Sequence, residues 1–225
     1  LFMSLTNGIQ SLIGELWAKQ EMDTLYDFFS KIEWMIHMGT IYLFGCTACL
    51  IVPFIEVYTY GINDANYIQK SFAMLLVIAN GIHCLRIPYV VMILAAGHYK
   101  QTQSNYLITA FVNIIVSILL VIKYGLIGVA IGTLVSMLYQ TIWMANYVSQ
   151  KIIKNSRNNF IKLFVTDIMT FIIILFLNSL VKMKNITYMA WILMAVKVAI
   201  ISAFIMIIIN LFFYHKKLFD LFNKK

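Results

Sequence analysis

The stretch ITYMAWILMAVKVAIISAFIMIIINLFFY, residues 186–214, decides the fold. It is continuously apolar, carries a single charge at Lys197, and shows none of the apolar–polar alternation of a barrel strand. A hydrocarbon core about 30 Å thick is crossed by roughly 20 apolar residues in helical form. Only helices and closed barrels satisfy their backbone groups in that medium, so this stretch reads as a membrane-spanning helix. Working outward, five more runs have the same character, at 34–60, 71–96, 105–122, 124–148 and 163–181, and residues 1–17 read as part of a further helix. Composition agrees, with 62% hydrophobic and 12% charged residues where a soluble domain has about a quarter charged. The expected fold is all-α, a polytopic transmembrane helical bundle that forms one transmembrane domain over residues 1–225. The chain opens on Leu without a basic n-region or a small-residue cleavage site, so no signal peptide is expected and the sequence reads as starting inside a helix.

The formal net charge of +8 gains meaning when placed along the chain. Connections 18–33, 97–104 and 149–162, with the tail after residue 214, hold 11 Lys and Arg residues, among them Lys154, Arg157, Lys216, Lys224 and Lys225. The alternate connections hold only 4, namely Lys70, Lys123, Lys182 and Lys184. The split alternates correctly through six spans and puts the carboxyl terminus in the cytoplasm by the positive-inside rule. The bases are scattered over short loops and not gathered on one face, which argues against nucleic acid as a partner. Membrane lipid is the partner the composition demands. The connections leave no room for a soluble catalytic domain, and no enzyme is expected.

Two basic residues remain, Arg86 and Lys197, each near the middle of its span. A charge at that depth costs about 2.5–3.5 kcal/mol on insertion scales and marks a candidate functional position. Arg86 cannot shed its proton, whereas a buried Lys197 can. The alternative is an ion pair that merely joins helices, with Glu56, Asp167 or Glu15 as acid. His83 lies three residues before Arg86 and shares its helical face. Both prolines, Pro53 and Pro88, fall inside spans, where each removes a backbone hydrogen bond and kinks the helix. They are candidate hinges or plain packing kinks. Asn105, Thr109, Asn113 and Ser117 repeat every four residues, as do Gly128, Gly132, Ser136 and Gln140. Gly128 and Gly132 form a GxxxG pattern suited to close helix packing, while the polar stripe suits either packing or a cavity lining.

Other motifs carry little. Cys46 and Cys49 spell CxxC but sit inside a span, and with Cys84 they read as small buried hydrophobes. His37, His83, His98 and His215 lack metal-ligand spacing. Asn185 opens a nominal glycosylation triplet too close to a span to be used. No cofactor and no metal site is expected.

The run PYVVMILAAGHYKQTQSNYLITAFVNIIVSILLVIKYGLIGVAIGTLVSMLYQ, residues 88–140, carries a family resemblance. A small-small-Gly-basic turn (AAGHYK) precedes a span with Asn113, Ile114 and Ser117 at its core, and a Lys-Tyr-Gly-Leu-x-Gly-x-Ala-x-Gly-Thr entry from Lys123 to Thr133 opens the next. Upstream, GIQSLIGELWAKQEMDTLYDFF and PFIEVYTYGINDANY fit the same pattern, which fades after Lys151. The chain resembles the carboxyl-terminal half of bacterial polysaccharide repeat-unit flippases, for O-antigen, lipopolysaccharide or capsule, in the multidrug/oligosaccharidyl-lipid/polysaccharide exporter superfamily. The resemblance implies one lobe of a two-lobed exporter plus extra C-terminal helices, with a missing N-terminal lobe as structural partner. It implies an inner-membrane transporter that moves an undecaprenyl-pyrophosphate-linked oligosaccharide outward by alternating access, with polysaccharide polymerase machinery as a further partner. On that reading Arg86, His83, Lys197 and Asn113 are the candidate substrate-binding residues. Two alternatives stand beside it, a cation-coupled drug antiporter of the same superfamily and a membrane polymerase or glycosyltransferase using Glu56, Asp64 and Tyr67.

Overall fold

A computed structural model of the chain describes residues 2–153 and 158–222, and the topology-marking Lys154, Arg157, Lys224 and Lys225 lie outside them. The helices are α1 (Phe2–Ala18), α2 (Met22–Tyr58), α3 (Lys70–Leu85), α4 (Ile87–Ala95), α5 (Tyr99–Tyr124), α6 (Leu126–Tyr147), α7 (Asn158–Asn178) and α8 (Tyr188–Phe222). A π-helical turn, Val148–Ile152, continues α6. No strand occurs among the described residues, so the fold is an all-α helical bundle. Six segments are long and apolar enough to cross a membrane: Met22–Tyr58, Lys70–Ala95, Tyr99–Tyr124, Leu126–Ile152, Asn159–Asn178 and Tyr188–His215. They correspond to the six expected runs, and the expected end at residue 214 falls where Tyr214 leaves helical geometry (φ −137°, ψ 29°).

Three helices start several residues earlier than expected, α2 at Met22 for 34, α5 at Tyr99 for 105 and α7 at Asn158 for 163, and the first difference is the largest. Residues 18–33 are not a connection, because α2 already begins at Met22. The charges at Asp23, Asp27 and Lys31 hide a helical stripe in which Leu25, Phe29, Glu33 and His37, four residues apart, are all buried. Helix α1 is closed tightly enough to allow this. The Gln20 amide bonds the Trp17 carbonyl at 3.1 Å and the Glu21 amide bonds Leu16 at 3.1 Å, with Gln20 at φ 58°. That is the paired C-terminal bond pattern of a left-handed helix stop. Gly97 (φ 74°) ends α4 the same way, its amide on Leu94 at 3.1 Å and that of His98 on Ile93 at 3.0 Å.

The chain forms two compact units, Leu1–His37 with Ile78–Leu163, and Met38–Val77 with Phe164–Lys225. In the first, Ile13 and Leu16 of α1, Leu25 and Phe29 of α2, Tyr89 and Met92 of α4, and Met144, Val148 and Ile152 share one apolar core. In the second, Ile41, Ile174, Ile205 and Met206 make a smaller core. Trp191 Nε1 of α8 donates to the Leu50 carbonyl of α2 at 3.2 Å, one turn before Pro53.

Helices α5 and α6 show why the chain belongs in lipid. Thr102, Asn105 and Thr109 are buried on α5, while Phe111, Ile115, Leu119 and Ile122 are exposed, Ile122 at 84%. This inverts the pattern of a soluble protein, in which apolar groups turn inward. Gly125 (φ 56°) turns α5 back onto α6. A Cβ added at Gly132 would lie 2.1 Å from Ser117 Oγ, and one at Gly128 only 2.4 Å from the Leu120 carbonyl. The glycines therefore serve close packing, as expected, and part of the polar stripe is packing surface too. Replacing Gly128 or Gly132 with Ala should lower stability by about 1–3 kcal/mol, the usual range for overpacking, whereas Gly8→Ala, inside α1 with open space around it, should hold or slightly raise the thermal midpoint in detergent, since Ala is favoured over Gly in a helix by about 0.5–1 kcal/mol.

Candidate functional site

The expected span over 71–96 stays one apolar segment, Lys70–Ala95, with a local change in the helical bond pattern at Arg86, which keeps helical angles (φ −76°, ψ −22°) between α3 and α4. Pro88 sits in the first turn of α4, where its missing amide donor is tolerated. The Arg86 amide turns to the His83 carbonyl at 3.3 Å in place of its regular partner four residues back, Ile82. The Ile82 carbonyl accepts instead the Thr141 hydroxyl of α6, at 3.3 Å. A neighbouring helix thus repairs the bond that the break removes, as threonine does in membrane interiors.

Arg86 at this position is 7% exposed as a residue. Its Nη2 lies 2.6 Å from His83 Nδ1, and Nη1 donates to Met137 Sδ at 3.7 Å. Arginine can only donate, so His83 Nδ1 must be the acceptor and the ring proton of neutral His83 rests on Nε2. The pair consequently presents donors alone to its surroundings. No carboxylate forms an ion pair with Arg86 among the described residues. Glu15, one of the three acids considered for that role, is held at 2.6 Å by Lys19 on an exposed surface.

The other expected site residues do not join this pair. Asn113 Oδ1 accepts the Ser117 hydroxyl at 3.1 Å, and the Asn113 backbone carbonyl abuts Gly132, placing it in the α5–α6 packing contact. Lys197 belongs to the second unit, on α8, with its side chain exposed. Pro53 lies within the unbroken α2, so only Pro88 accompanies a boundary between helical elements. Cys46, Cys49 and Cys84 are free thiols and half-buried, not fully buried as expected.

Three residues of the neighbourhood escape the sequence pattern. Tyr89 of α4, 1% exposed, donates its hydroxyl to Glu33 Oε1 at 2.5 Å. Its ring sits between Phe29 at 6.0 Å and Phe160 at 5.8 Å. Thr141 holds the break. Glu33 was discoverable, since it continues the Leu25–Phe29 stripe at the same helical interval. Tyr89 and Thr141 carry no local signal, because their partners are 56 and 59 residues away.

No protein family, curated protein or solved structure matches this chain.

Tyr89→Phe removes a bond to a buried carboxyl group and should destabilise the protein by about 1–3 kcal/mol. Thr141→Val should cost less, about 0.6 kcal/mol, the mean for a side-chain hydrogen bond inside a membrane protein. Thermal unfolding of both variants in detergent, followed by circular dichroism, gives the order.

Proposed function

We propose that this chain is part of a transporter for an anionic lipid-linked oligosaccharide, of the undecaprenyl-pyrophosphate type, moved from the cytoplasmic to the outer leaflet for surface polysaccharide assembly. The observation that carries the reading is buried Arg86, bonded to half-buried His83 and forming no ion pair with a carboxylate among the described residues. A permanent cation is retained inside a membrane protein where it meets an anion or water. Guanidinium recognises phosphate through two parallel hydrogen bonds. The irregular bonding at Arg86, next to Pro88, supports flexing of the helix around the site. The sequence resemblance supplies the cargo class and the setting, a multi-pass protein of the bacterial cytoplasmic membrane with a cytoplasmic carboxyl terminus.

A second reading draws on two buried acids. Glu33 and Asp167 are 5% and 8% exposed, and a proton- or cation-coupled antiporter requires carboxylates at such positions. Arg86 separates the two readings, because a drug cation gains nothing from a guanidinium.

In the bacterium that carries the gene, Arg86→Ala should reduce export of the surface polymer by roughly ten- to a hundredfold, as loss of a charge-assisted hydrogen bond worth about 1.5–3 kcal/mol implies. Arg86→Lys, which keeps the charge without the planar fork, should retain part of it. Polymer on the cell surface measures both, and unchanged export with Ala rules out the anionic-cargo role. For topology, alkaline phosphatase fused within the α2–α3 connection should be active and fused after residue 222 inactive.

A further inference from the structure

The connection between α2 and α3, with the end of α2 and Ile186, borders an open surface recess of about 600 Å³ in the second unit. Six polar or aromatic side chains line it: Glu56, Thr59, Tyr60, Asn63, Asn66 and Tyr67. The volume lies within the range of small-molecule sites, roughly 300–1,000 Å³. No Lys, Arg or His is among its lining residues, so it is not built for phosphate or any other anion.

The loop's internal hydrogen bonds determine what chemistry is left over. The Thr59 hydroxyl donates to the Ile55 carbonyl at 2.7 Å, leaving its oxygen as an acceptor. Asn66 Oδ1 accepts the Ile68 amide at 3.2 Å, leaving its NH₂ group as a donor. Tyr67 donates to Asp64 Oδ1 at 3.0 Å, which fixes the ring and again leaves an acceptor. Glu56, Tyr60 and Asn63 make no side-chain hydrogen bond among the described residues. Tyr60 and Asn63 add donors, and Glu56 and Asn63 add acceptors. Gly61 (φ 83°) supplies the turn that brings the two sides of the loop together.

The recess therefore offers both donors and acceptors beside two phenol rings. An organic cation would use the ring faces and the Glu56 carboxylate and make no use of the amide donors of Asn63 and Asn66. A polyhydroxylated ring uses both, since every hydroxyl donates and accepts, and its apolar C–H face packs on an aromatic ring. We infer that this recess is a binding site for a neutral saccharide. The inference does not depend on the anionic-cargo reading, because the site holds no cation and belongs to the other unit. By the distribution of basic residues the loop lies on the non-cytoplasmic side, where free glycans and glycolipid headgroups are both available.

The purified full chain in detergent micelles, titrated with cellobiose, lactose, maltose and chitobiose under saturation-transfer difference NMR, tests the site with probes that carry neither phosphate nor lipid. At least one disaccharide should receive saturation. Asn63→Ala and Glu56→Ala, with helicity unchanged by circular dichroism, should each weaken its Kd at least fivefold, and tetraethylammonium should not displace it. A parallel arm with nanodiscs containing or lacking a neutral galactolipid separates the sources. Tighter binding with the galactolipid assigns a membrane-tethered sugar, and no difference assigns a free glycan. Absence of transfer to all four sugars, unchanged binding in the double variant, or full displacement by tetraethylammonium would each overturn the assignment.

Discussion

Hydrocarbon offers no water to a backbone carbonyl, so a helix that breaks inside a span must find a donor elsewhere in the protein. At Arg86 the donor is the Thr141 hydroxyl, which takes the Ile82 carbonyl that the Arg86 amide has left. In the other unit, where α2 runs unbroken through Pro53, the Trp191 indole donates to the Leu50 carbonyl. Each bond ties its helix to a partner far along the chain. The first of them also determines where a buried guanidinium can point, because it anchors the end of α3 to α6. The candidate site is thus a consequence of how the break is satisfied.

The polar groups of α5 and α6 follow from the same constraint. In lipid there is no hydrophobic force between helices, and close packing with side-chain hydrogen bonds holds them together. Gly128 and Gly132 let the two backbones approach, and Asn113, Ser117 and Thr109 spend their hydrogen bonds on their own helix within that contact. Asn105 differs, since it reaches Tyr139 on α6 at 3.2 Å. The apolar residues are left on the outer face, which reverses the usual order of inside and outside.

Two chemistries emerge, one in each unit. The first unit buries Arg86 beside a half-buried histidine, and the two offer donors only, an arrangement suited to phosphate. The second carries an open recess of mixed donors, acceptors and phenol rings without a basic lining residue, suited to a neutral sugar.

Six helices long and apolar enough to cross a membrane, and their order among the described residues, were legible in the sequence, because run length and apolarity are local quantities. Arg86 and the packing glycines were legible for the same reason: a fixed charge or a GxxxG stands out against an apolar run. The start of α2 was hidden by charges that punctuate an amphipathic helix, and Lys197, alike in local context, turned out exposed. Only the tertiary structure decided that Arg86 forms no ion pair among the described residues, that Thr141 bonds the Ile82 carbonyl, and that Tyr89 bonds Glu33. Those outcomes depend on which helix faces which, and residues more than fifty positions apart leave no trace of one another in a periodic apolar pattern.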